Sequence, residues 1–107
     1  MMETISAKEL KSKMETNEEF TLGDAREEQT YKILHIKGAI SLPLSAIEKA
    51  EELFRKDAKI IVYCGSYECP ASDKASKRLV EMGFTNIARY AGGIKEWKEL
   101  GFPTEEN

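Results

Sequence analysis

Apolar positions along the chain alternate between two rhythms, one with the spacing of helices and one with that of short strands. In "SAKELKSKMETN" (residues 6–17) polar residues dominate and apolar ones recur at helical spacing. Ser6 followed by Glu9 forms a capping-box pattern at its start. "FTLGDA" (20–25) then reads as a strand, and "REEQTYKIL" (26–34) as a polar, partly helical segment. "GAISLP" (38–43) is a brief apolar strand stopped by Pro43. Ser45 is expected to cap a helix over "AIEKAEELFRK", where Ile47, Ala50 and Phe54 share a face. "KIIVYC" (59–64) is apolar on both faces, as a central parallel strand requires. "ASDKASKRLVEMG" (71–83) places Ala71, Ala75, Leu79 and Met82 at helical spacing and ends on Gly83. "NIARYAGG" (86–93) predicts a strand running into paired glycines. "IKEWKELG" (94–101) predicts a last short helix, closed by Gly101 and Pro103.

Strands that alternate with helices argue for an α/β fold, a parallel sheet with helices on both sides. With 107 residues, one domain spans the chain from 1 to 107. In such folds ligands bind beyond the carboxyl ends of the strands, and Cys64 sits at one of those ends. A net charge of −3 with no basic stripe gives nucleic acid nothing to grip. The apolar runs are too short to cross a bilayer, and "MMETISAKEL" lacks the apolar centre of a signal peptide. A cytoplasmic location is expected, where two cysteines remain thiols rather than a structural disulfide.

The stretch "KIIVYCGSYECPASDKASKRL" carries the chemistry. A loop leading from a strand end into a helix start exposes backbone N–H groups, and the helix terminus adds partial positive charge. A thiol placed there is expected to ionise more readily than a free one and to act as a nucleophile on an anionic or sulfur-bearing substrate. The plainer reading is that Cys64 is a small buried residue at a strand end.

Several further stretches change that balance. "GDAR" (23–26), Tyr31 and "HIKGAISLP" (35–43) resemble the Asp-x-Arg … Tyr … His-Ile-x-Gly-Ala … Pro pattern of rhodanese-like domains. "IIVYC" resembles that family's active-site strand and cysteine, and "YAGGIKEWKELGFP" (90–103) is similar to its closing segment. The matches follow the family's order over nearly the whole chain. The resemblance implies a five-stranded parallel sheet flanked by helices on both sides. It implies a sulfurtransferase in which Cys64 takes a sulfane sulfur from a donor, thiosulfate or a persulfide, and passes it to a thiol or protein acceptor. The loop Gly65, Ser66, Tyr67, Glu68 and Cys69 would supply N–H groups to the persulfide, and neither a metal nor an organic cofactor is implied.

The departures bear on the donor. "SDKA" (72–75), with Ser72 and Lys74, resembles the family's helix start but comes about two residues late, so the loop is longer than usual. It holds no arginine, and Lys74 is the nearest cation along the chain. Glu68 is expected to repel small dianions such as thiosulfate, which favours a persulfide donor. Cys69 has three readings: a resolving thiol, a second sulfur relay, or a helix-start residue without redox role. Asp24 and Arg26 border the pocket or, as favoured here, form a structural ion pair. Gly92 and Gly93 serve a tight turn and border the pocket through their N–H groups. His35 is expected to bond backbone, Trp97 to pack, and Glu51 and Glu52 to face solvent. Two cysteines and one histidine make no familiar zinc set.

Two other functions compete. Phosphatases and arsenate reductases of related fold use Cys-x5-Arg; here Pro70 stands six after Cys64, and Cys69 alone keeps a thiol-redox enzyme open. A non-catalytic binding module is the other, to be separated by whether Cys64 alkylates readily.

Overall fold

The computed structural model describes residues 3–106. Seven strands and five α-helices follow in the order β1 (Glu3–Ile5), α1 (Ala7–Glu15), β2 (Thr21–Asp24), α2 (Glu28–Ile33), β3 (His35–Ile36), β4 (Ile40–Ser41), a 3-10 segment (Leu44–Lys49) running into α3 (Ala50–Leu53), β5 (Ile60–Tyr63), α4 (Ala71–Glu81), β6 (Ile87–Tyr90), α5 (Gly93–Glu99) and β7 (Thr104–Glu105). Five strands form one sheet in the order β1-β6-β5-β2-β4, every pair parallel. β3 and β7 pair separately and antiparallel.

The strand β5 is central because all four of its residues are apolar enough to be buried from both sides. Ile61 and Tyr63 face one layer, in which Leu10 of α1 and Ile94 and Trp97 of α5 are buried. Ile60, Val62 and the following Cys64 face the other, with Ala50 of α3 and Ala75 and Leu79 of α4. The period of two along β5 therefore aims Cys64 at the α4 side. The expected α/β fold, a five-stranded parallel sheet with helices on both faces, is the one observed.

Local chemistry sets the ends of these elements. Ser6 Oγ accepts from the Glu9 N–H at 3.1 Å and Glu9 Oε1 accepts from the Ser6 N–H at 3.0 Å, the reciprocal box expected for α1. Gly83 follows α4 at φ +100, a left-handed backbone conformation that glycine adopts without a steric cost. Ser45 departs from expectation. It does not cap a helix: Pro43 precedes a 3-10 segment, Ala46 leaves helical geometry at φ −130, and only 50–53 is α-helical. Ser45 Oγ instead donates to Glu27 at 3.3 Å. The apolar spacing still holds, since Ile47 and Ala50 are buried and Phe54 packs against the same core. Among the described residues no helix is long and apolar enough to cross a membrane.

Candidate active site

Cys64 follows the last residue of β5 and is 1% exposed. Its backbone is fixed from behind. The N–H groups of Ile94 and Lys95, in the first turn of α5, donate to the carbonyls of Cys64 (3.0 Å) and Gly65 (2.9 Å). These are donors that a helix N-terminus leaves free. The approach depends on Gly93, at φ +71: a Cβ there would lie 2.6 Å from Cys64 O and 2.7 Å from Gly65 C. Gly93 therefore braces the back of the loop. Gly92 lies against Glu96 and the Tyr90 hydroxyl.

The loop folds back on itself. The Cys69 N–H donates to Ser66 O at 3.1 Å, which returns Cys69 to Cys64. Ser66 Oγ donates to Glu68 Oε2 at 3.0 Å. Tyr67, though exposed, is tied down by its hydroxyl, which donates to Glu96 Oε2 at 3.0 Å while the Tyr90 hydroxyl donates to Glu96 Oε1 at 2.7 Å. The Ser66 hydroxyl, the Glu68 N–H and nearby Lys95 hold the Glu68 carboxyl below its ordinary pKa, so it stays charged at the loop surface.

The Cys64 thiol donates its single proton to the Cys69 carbonyl, 3.3 Å away, and the Ser72 hydroxyl, with Oγ 3.4 Å from the same sulfur, donates to it. Ser72, buried in the first turn of α4, also accepts from Arg89 Nε at 3.0 Å. The cation that reaches Cys64 therefore comes through Ser72 from β6. Lys74, the nearest cation along the sequence, is exposed and makes no bond to either sulfur among the described residues. Arg89 went unnoticed in the sequence, yet a signal was there. Ile87 and Arg89 fall on the same face of β6, and Ile87 belongs to the core beneath α4. An arginine at such a position needs a buried partner, and Ser72 is that partner.

The ionisation of the two thiols reverses the sequence expectation. Burial pushes the Cys64 thiol above its ordinary pKa, and the neighbouring Cys69 adds to this, against the opposing effect of the Ser72 hydroxyl and N–H. Burial also opposes ionisation of Cys69. There, hydrogen bonding from Cys64, the N–H groups of Gly65 and Ala71, and nearby Arg26 outweigh it and bring the thiol below its ordinary pKa. The groups that favour ionisation differ between the two thiols: the Ser72 hydroxyl and N–H for Cys64, and chiefly Cys64 with the N–H groups of Gly65 and Ala71 for Cys69.

Asp24 and Arg26 form an ion pair at the carboxyl end of β2. Asp24 is fully buried and accepts from Arg26 Nε (3.0 Å), Arg26 Nη2 (2.7 Å), the Arg26 N–H (2.9 Å) and the Tyr63 hydroxyl (2.8 Å). Arg26 Nη2 reaches on to Leu34 O. His35 is buried, stacked on Tyr31 at 4.0 Å between centroids, with Nδ1 2.9 Å from Tyr31 O. Trp97 is buried and donates to Pro103 O at 2.7 Å. Among the described residues no three His, Cys, Asp or Glu side chains gather as a metal site.

A parallel α/β sheet with a cysteine at the carboxyl end of its central strand, set in a short loop that leads into a helix, defines a class of cysteine-centred domains. Within that class, the Rhodanese-like domain profile matches residues 6–100, and the chain belongs to this family. It is 29% identical to a thiosulfate sulfurtransferase, GlpE, of Coxiella burnetii over 80 residues, 75% of this chain and 73% of that protein. It is 27% identical to the putative sulfur carrier protein YrkF of Bacillus subtilis, over 87% of this chain and 49% of that one. The solution structure of the rhodanese-like domain of the Anabaena protein Alr3790 superposes with a TM-score of 0.89 at 33% identity, covering 100% of this chain and 81% of that one.

Proposed function

We propose that the protein is a sulfurtransferase that carries sulfane sulfur as a persulfide on Cys64. One observation supports this above the others: the Cys64 sulfur lies beyond the carboxyl end of the central strand, with Ser72 and, through it, Arg89 beside it. The sulfurtransferase among the relatives points the same way. Cys64 attacks the sulfane sulfur of the donor, and sulfite leaves if the donor is thiosulfate, or a thiol if it is a persulfide. An acceptor thiolate, small or carried by a protein, then takes the outer sulfur and restores Cys64. The Cys64 proton is lost to solvent as the thiolate forms, and the Ser72 hydroxyl favours that ionised form. No metal or organic cofactor enters these steps. A reducing compartment such as the cytoplasm suits a site that needs both thiols reduced.

Sulfur transfer to a small thiol tests the reading. Cys64→Ser is expected to lower turnover by about a thousandfold or more, as loss of a nucleophile does, with the circular dichroism spectrum unchanged. Turnover near wild type would overturn the assignment. The Glu68 carboxylate further predicts a higher kcat/KM with a small organic persulfide than with thiosulfate, a gap that narrows as salt is added.

A further inference from the structure

Cys64 and Cys69 are both free thiols, five positions apart on one loop. The turn closed by the Cys69 N–H and Ser66 O brings the second cysteine back, and Cys64 Sγ stands 3.3 Å from the Cys69 carbonyl oxygen. Cys64 is almost fully buried, whereas Cys69 is only partly so. An outside thiol must reach into the site to meet Cys64; Cys69 is already there. Against the effect of burial, Cys64 and the N–H groups of Gly65 and Ala71 draw the Cys69 thiol below its ordinary pKa, which favours the thiolate.

We propose that Cys69 attacks the persulfide carried by Cys64, closing a Cys64–Cys69 disulfide and releasing sulfide, so that the chain is a persulfide reductase as well as a sulfur carrier. This rests on Cys64 being the persulfide site. The Cys69 thiolate attacks the inner sulfur of Cys64–S–SH. A bond forms between the two cysteine sulfurs, and the bond between inner and outer sulfur breaks. The electron pair leaves on the outer sulfur, which keeps its proton and departs as hydrosulfide. The outer sulfur is reduced from the sulfane to the sulfide level while the two cysteines become a disulfide, so one turnover needs no other reactant. A second turnover needs two electrons from an external dithiol, small or carried by a redox protein.

The intramolecular route competes with transfer to an acceptor. Sulfide release dominates when acceptor is scarce, and transfer dominates when it is plentiful. The attack requires the two backbones to allow a disulfide, and the loop is six residues from Cys64 to Cys69 with Cys64 Sγ already 3.3 Å from the Cys69 carbonyl oxygen.

The test loads the full chain with thiosulfate or with glutathione persulfide, desalts it, and follows free sulfide and intact mass without reductant. Wild type is expected to release its added sulfur as sulfide and to lose two hydrogens, with peptide mapping joining Cys64 to Cys69. Cys69→Ser and Cys69→Ala are expected to keep the added sulfur on Cys64 and to release sulfide slower by about a hundredfold or more, the advantage of a tethered nucleophile. A wild-type persulfide as long-lived as that of Cys69→Ser overturns the proposal and leaves the sulfurtransferase reading standing. Failure of both Cys69 variants to take up sulfur overturns that reading, and this proposal with it.

Discussion

Cys64 shares its sulfur with two kinds of partner, a carbonyl and a hydroxyl. The Ser72 hydroxyl is the one that favours its ionised form, and Arg89 keeps that hydroxyl turned toward sulfur by occupying its acceptor side. Arg89 therefore positions rather than reacts. Its contribution is measurable in a Cys69→Ser background, where Cys64 is the only thiol. There Ser72→Ala and Arg89→Met are each expected to slow alkylation of Cys64 at neutral pH roughly fivefold, the worth of about one hydrogen bond. The sign follows from the Ser72 contact, which lowers the Cys64 pKa; losing it raises that pKa and moves the pH profile of alkylation to higher pH. Arg89→Lys should recover part of the rate. Unchanged rate and profile in Ser72→Ala and Arg89→Met would remove both residues from the account. In the sequence, Cys64 is legible because an apolar run ends on it. Arg89 is not legible from the loop, because it arrives from a strand whose position is set by sheet order rather than by sequence distance.

At the scale of elements, the site is the junction of β5, the loop, α4 and the first turn of α5. The last of these is the least visible in the sequence, where "GGIKEW" reads only as a turn into a short helix. In the fold, Gly93 lets α5 press its free N–H groups onto the Cys64 and Gly65 carbonyls. Gly93→Ala forces a side chain into a left-handed backbone, which costs about 1–2 kcal/mol, and sets its Cβ against backbone atoms that cannot rotate away. A total loss of about 2 kcal/mol or more is expected, read as a fall in Tm of roughly 10 °C. Sulfur transfer should fall with it as Cys64 shifts. A Tm within about a degree of wild type would contradict the bracing role. Longer elements were legible because periodicity needs length. α1, α4 and β5 carry enough apolar positions to reveal their faces. β1 buries only Ile5, and β3 and β7 have two residues each, so no pattern can form within them. The kink at Ala46 was hidden for another reason: the apolar spacing of Ile47, Ala50 and Phe54 suits a helix and its distorted form alike.

Across the whole molecule, the order β1-β6-β5-β2-β4 puts the ends of β2 and β5 side by side, and the buried Asp24 ties them together. Through Tyr63 and Arg26 that carboxylate also holds the Ile36 N–H and the Leu34 carbonyl, so the region of β3 is fixed to the same edge as the site. A polar cluster this well partnered keeps this edge of the sheet rigid. Donor N–H groups, thiols and cation are thus arranged by the fold before any substrate arrives. Alternation of strands and helices made the architecture readable. The return of Cys69 to the Cys64 sulfur was not readable, because it depends on the turn from Ser66 to Cys69 and not on residue type. The central claim is that sulfur is carried on Cys64, and it is tested most directly by intact mass after incubation of the Cys69→Ser protein with a small organic persulfide. The account predicts a gain of one sulfur, absent when Cys64→Ser is added to the same chain. No gain in Cys69→Ser, or a gain that survives the loss of Cys64, would contradict it.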